Sequence, residues 1–145
     1  MSRELPISDV RPTQLYISRK KLAEVLEWFD VDTVEYEPLP AFEHDGSWYL
    51  SDGHTRAFAA YLAGEDTLRI RRDGEVREEY DFELYLQCME WCEEAGVTTV
   101  ADFRGRLLEP DTYQEQWIDR CDRAAVGADG SVTGRSTSGR SGSQK

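Results

Sequence analysis

The stretch from Trp48 to Gly64, WYLSDGHTRAFAAYLAG, constrains the fold more than any other part of the chain. Trp48 and Leu50 fall on one side of an extended segment and Tyr49 on the other, the two-residue period of a strand. Asp52 and Gly53 end that strand, and Ala57, Phe58, Ala60, Tyr61 and Leu62 then recur at helical spacing until Gly64 stops them. A strand that turns straight into an amphipathic helix commits the chain to sheet and helix in one packed unit, the α+β class.

The flanking residues extend this pattern. Leu22, Val25, Leu26 and Phe29 follow Ser18 at spacings of three and four, which predicts a helix capped by Ser18. Pro38 and Pro40 bar further helix, and Leu39, Ala41 and Phe42 lead into His44, Asp45 and Gly46, where an Asp-Gly pair predicts a tight hairpin with the strand Ser47 to Ser51. Thr67 to Arg72 alternates with Leu68 and Ile70 inward, and Asp73-Gly74 predicts a second hairpin returning over Glu75 to Tyr80. Asp81 is the expected cap of a helix to Ala95 carrying Leu84, Cys88, Trp91 and Cys92, with Gly96 as its stop. Val100 to Leu108 reads as a short helix or turn. Asp111 and Gln114 resemble a capping box for a last helix with Tyr113, Trp117 and Cys121 on one stripe. The expected organisation is a small mixed sheet with packed helices over residues 1–80, a C-terminal helical extension over 81–126, and a disordered Gly/Ser/Thr/Arg tail over 127–145.

Charge narrows the partners. The 145 residues hold 29 acidic and 17 basic side chains, a net charge of −12, and the last 24 residues are slightly basic, so the body is more acidic still. Such a surface repels a polyanion unless basic residues cluster locally, which argues against duplex DNA as the main partner. Only three of the basic residues are Lys. Abundant carboxylates with Arg preferred over Lys fit adaptation to high salt, and a GC-rich genome gives the same bias, so both explanations stand. Cys88, Cys92 and Cys121 are odd in number and no secretory segment follows Met1, which predicts a reduced, cytoplasmic protein. Cys88 and Cys92 share a helical face, as buried small residues or as half of a metal site whose other ligands the sequence does not supply. No apolar run is long enough to span a membrane.

Ser51, Asp52, Gly53, His54, Thr55 and Arg56 carry the chemistry. The first amides of a helix lack intrahelical acceptors and stand at the positive end of its dipole, so an anion is favoured there. Gly53 permits positive φ and close approach of a ligand. Arg56 grips phosphate in a bidentate way, Thr55 offers a hydroxyl, His54 donates or transfers a proton, and Asp52 holds a divalent metal or braces Arg56. The alternative is that Asp52 merely caps the helix and the polar side chains face water. Arg19, Lys20 and Lys21 oppose the dipole of their helix, so they either meet an anion or form a solvated face.

The segment from Trp48 to Gly64 resembles the signature of the ParB/sulfiredoxin superfamily, in which a strand ends in a Gly-x-x-Arg turn and an Ala-rich helix follows. The likeness spans residues 5 to 72 and is nearest in its Asp-Gly-His-x-Arg form to the branch that phosphorylates free serine. It implies a turn that holds nucleotide phosphates (ATP, ADP or CTP, with Mg²⁺ in a phosphotransferase), through contacts from Gly53, His54, Thr55 and Arg56. His54 stands where sulfiredoxins carry Cys, so sulfinic-acid reduction is not expected. Of the ParB pattern Gly-Glu-Arg-Arg only Gly53 and Arg56 remain. The kinase-like relatives take their base from a Glu before the first helix, where this chain has Ile17, Ser18, Arg19 and Lys20; Glu37 is the nearest substitute on the approach strand. Three functions follow as expectations: a small nucleotide-dependent phosphotransferase or hydrolase using His54 or Glu37, with Arg19 and Lys20 assisting at the phosphates; a non-catalytic module with a protein partner for its acidic face; and a ParB-like DNA-associated protein.

Overall fold

The computed structural model describes residues 2–74 and 82–129, the last five of these as backbone only. The expected return strand Glu75 to Tyr80, the Asp81 cap and all of the expected tail beyond Asp129 lie outside the described residues. Five strands form one mixed sheet: β1 (Ser2–Pro6), β2 (Val10–Arg11), β4 (Leu39–His44), β5 (Ser47–Leu50) and β6 (Thr67–Arg72), in the order β1-β6-β4-β5-β2. A second, two-stranded sheet pairs β3 (Ile17–Ser18) with β7 (Leu107–Leu108). Helices α1 (Arg19–Trp28), α2 (His54–Leu62), α3 (Phe82–Ala95), α4 (Pro110–Tyr113) and α5 (Asp119–Asp129) complete an α+β fold.

The hairpin forms where the Asp-Gly pair predicts it. Asp45 and Gly46 both take positive φ, +51° and +80°, which matches the twist of the strands they join, and Ala41 pairs with Leu50 through His44 with Ser47. Ser18 caps α1 by accepting the Lys21 N–H, and Leu22, Val25 and Phe29 are buried. Leu26 lies at the edge of that stripe and is 40% exposed. The chain crosses from β5 through α2 to β6, which runs parallel to β4 with Leu39 opposite Ile70. Leu39, Ala41, Leu50, Leu68 and Ile70 make one sheet face, buried in the main core with α1 and α2. Phe42 and Tyr49, on the other face, pack with Tyr85 and Phe82 of α3.

The short strands β2, β3 and β7 are not foreseen by the sequence reading, and Val100 to Leu108, read as a short helix or turn, ends in β7; β1 and the start of the last helix depart from it too. β1, whose residues Ser-Arg-Glu-Leu-Pro show little alternation, pairs antiparallel with β6 from Ser2↔Arg71 to Pro6↔Thr67. The expected Asp111 cap is displaced: Glu109 is the N-cap, Pro110 takes the first helical position, and a π-helical turn over Gln114–Ile118 links α4 to α5. Tyr113, Trp117 and Cys121 nonetheless share a buried stripe. Between α3 and β7, Thr99 and Asp102 form a capping box on a 3₁₀ turn, Val100–Phe103.

That turn links the C-terminal residues to the front of the fold. Phe103 is fully buried, edge-on to Phe58 at 6.0 Å and to His54 at 6.1 Å. Cys88, Cys92 and Cys121 are free thiols buried in the core, with burial pushing Cys92 up to about 12 and its Sγ–H donating to the Gln14 carbonyl at 3.4 Å. No helix among the described residues is long and apolar enough to cross a membrane.

Because Phe103 fills the space behind α2, Phe103→Ala should cost about 3–5 kcal/mol of stability. Urea unfolding measures it; a loss below about 1 kcal/mol would contradict a core shared between α2 and the 3₁₀ turn.

Candidate functional site

The turn begins with a strand end held from three sides. The Ser51 N–H donates to the Pro40 carbonyl at 2.9 Å, its Oγ–H donates to Asp73 Oδ2 at 2.7 Å, and its carbonyl accepts from the Tyr85 hydroxyl at 2.9 Å. Every polar group of a buried residue is thereby used, which fixes where the chain leaves the sheet.

Gly53 is the N-cap of α2, at φ +78°. An added Cβ would lie 2.9 Å from Leu39 Cδ2 and 2.9 Å from Arg56 Nη2, so glycine is required by conformation and by space. Asp52 does not cap the helix, as the bland reading of the sequence has it. Its Oδ1 accepts the Gly53 N–H at 2.7 Å, and no side chain caps α2. The amides of His54, Thr55 and Arg56 have no acceptor among the described residues.

Arg56 is half-buried, its guanidinium folded back against Gly53. Among the described residues it makes no ion pair or hydrogen bond. Thr55 is buried behind the turn.

His54 differs most from its expected part. It is 4% exposed, and its Nε2 accepts the Thr13 N–H at 2.9 Å. A backbone amide only donates, so Nε2 is the unprotonated nitrogen and Nδ1 carries the proton. Burial pushes its pKa down to about 3. The imidazole is therefore neutral near pH 7 with its lone pair committed to Thr13, an arrangement that suits bracing rather than proton transfer.

Residues 51–56 form one turn, and no hydrogen bond or ion pair among the described residues joins Arg19, Lys20 or Glu37 to it. Arg19 pairs with Glu109 at 3.1 Å, both side chains largely exposed, which gives this cation a carboxylate in place of an anionic ligand. Lys20 lines a cleft of about 270 Å³ with Lys21 and Tyr113, and none of residues 51–56 is in its wall. Glu37 is exposed ahead of β4 and makes no hydrogen bond or ion pair among the described residues. His44 is partly buried, edge-on to the Phe82 ring at 5.7 Å, and lies 3.6 Å from Asp45 Oδ2. Among the described residues, no three of His, Cys, Asp and Glu are grouped to hold a metal ion. Thr13, Asp73 and Tyr85 belong to the turn although nothing in their local sequence marks them; each reaches it across 22 or more residues.

The depressed His54 pKa makes stability pH-dependent. Between the ordinary value of 6.5 and about 3 the unfolded chain binds a proton here and the folded chain does not. This contribution is fully present above pH 6.5 and is lost as pH falls, at up to about 1.4 kcal/mol per pH unit. His54→Gln removes that slope, so wild type should lose more stability than the variant between about pH 7 and about pH 5 in urea unfolding. Equal losses would contradict a buried neutral imidazole.

No protein-family model matches the chain, and no curated protein matches it. Among solved structures, the crystal structure of protein Atu1540 from Agrobacterium tumefaciens is similar, with 15% identity and a TM-score of 0.48 over 88% of this chain and 70% of that one. A likeness that distant supports no inference about function.

Proposed function

We propose that the turn from Ser51 to Arg56 binds the phosphate groups of a nucleotide, in keeping with its resemblance to the ParB/sulfiredoxin superfamily. One observation carries the reading: the uncapped amides of α2 and a guanidinium without an acidic partner among the described residues meet at Gly53, where a side chain would not fit. Amides at the positive end of a helix accept phosphate oxygens, and the arginine fork adds a bidentate, charge-assisted contact. In a chain of net charge −12, Arg56 and the helix amides supply the positive groups at this turn.

Mg²⁺ carried by the nucleotide would neutralise phosphate charge at the turn, where Asp52 is the carboxylate within the motif. Binding is better supported than phosphoryl transfer, because His54 has its lone pair committed and Glu37 is exposed with no hydrogen bond or ion pair among the described residues. The non-catalytic reading, a nucleotide-responsive module, is favoured on that ground.

A thermal-shift panel of ATP, ADP and CTP with and without Mg²⁺ tests the proposal on wild type and Arg56→Ala. At least one nucleotide should raise the wild-type Tm saturably, by the equivalent of about 2.7 kcal/mol at a hundred times Kd, and Arg56→Ala should lose the shift while staying folded. An unchanged wild-type Tm with every nucleotide would overturn it.

A further inference from the structure

We propose that Thr13 is the positioning residue of the phosphate turn, joining the last carbonyl of β5 to the first side chain of α2. The inference rests on the nucleotide reading above and adds a residue outside the turn that sets its affinity.

Thr13 is 4% exposed and lies just after β2. Its Oγ1–H donates to the Leu50 carbonyl at 2.7 Å, and its backbone N–H donates to His54 Nε2 at 2.9 Å. Thr13 Oγ1 also lies 3.4 Å from His54 Nε2. The only hydroxyl proton is used on Leu50 and Nε2 already accepts the amide, so this third approach is contact rather than a further bond. Leu50 and His54 are the two residues that bracket Ser51, Asp52 and Gly53. One residue, 41 positions from His54 in the chain, thus holds both ends of the three-residue turn.

An anion at the turn must be met by amides and guanidinium at the same time, and small misplacement of such donors is costly. Gly53, at positive φ, is the pivot between the two ends. Ser51 is fixed to the sheet by Pro40, Asp73 and Tyr85, which secures the strand side alone. The described hydrogen bonds from outside the turn to the first residue of α2 come from Thr13. Its hydroxyl therefore acts on binding through the geometry of His54 and the amides that follow it.

The test is nucleotide affinity, measured by calorimetric titration with ATP, ADP and CTP, each with Mg²⁺, on wild type, Thr13→Val, Thr13→Ser and Tyr36→Phe. Thr13→Val keeps the shape and the backbone N–H but loses the bond to Leu50. It should weaken binding about tenfold, as expected for one lost buried hydrogen bond, while Thr13→Ser stays within about twofold of wild type. Tyr36→Phe removes a comparable bond, the hydroxyl that accepts the Arg69 N–H at 2.9 Å, and should lower stability with no change in affinity. If Thr13→Val does not fold, Thr13→Ala carries the same comparison. Wild-type affinity in Thr13→Val, or equal weakening in Thr13→Ser, would overturn the positioning role alone. A wild type that binds none of the three nucleotides would overturn the nucleotide reading and this one with it.

Discussion

Gly53 at φ +78°, wedged between the Leu39 methyl and the Arg56 guanidinium, is the constraint from which the front of the molecule is built. Its left-handed backbone lets β5 end in the sheet and α2 start without a side-chain cap. Its missing Cβ leaves room for Arg56 to fold back over the helix end, and Leu39 ties the same spot to the central strand β4. A β-carbon there would force Arg56 away, strain φ and disturb the sheet together.

Around that glycine, buried polar groups are matched so that few are left to compete for a ligand. Ser51 is satisfied by Pro40, Asp73 and Tyr85, and Thr13 is divided between Leu50 and His54. Asp52 turns to Gly53, inside the turn, leaving the helix amides uncapped. This distribution separates bracing from the proposed binding: Thr13, His54 and Ser51 hold the shape, and the α2 amides with Arg56 are the groups proposed to meet an anion. His54 suits the first group because burial keeps it neutral, so the dipole at the start of α2 meets no added positive charge.

What the sequence makes legible here is what is local. The Asp-Gly hairpin, the Ser18 cap, the stripes of α1 and α3 and the strand-turn-helix around Gly53 each depend on residues within a few positions of one another. β1 escapes detection because SRELP barely alternates and its partner β6 lies more than 60 residues on. The Asp111 capping box yields to Pro110, whose fixed φ starts the helix two residues earlier. Arg19 finds Glu109 ninety positions away, so a run of cations that the sequence leaves between an anion contact and a solvated face is partly an ion pair. The candidate turn itself was visible as a motif, whereas the bond from Thr13 that turns His54 inward was not, because one-dimensional spacing says nothing of a partner 41 residues distant.

The most direct measurement is a ¹H–¹⁵N titration of the folded protein with ATP, ADP and CTP in the presence of Mg²⁺. The account predicts that the amides of Gly53, His54, Thr55 and Arg56 move first and farthest, with the Arg56 guanidinium signal moving alongside them. Shifts centred instead on Lys20, Lys21 and Tyr113 at the separate cleft, or no shift at the turn with any nucleotide, would contradict it.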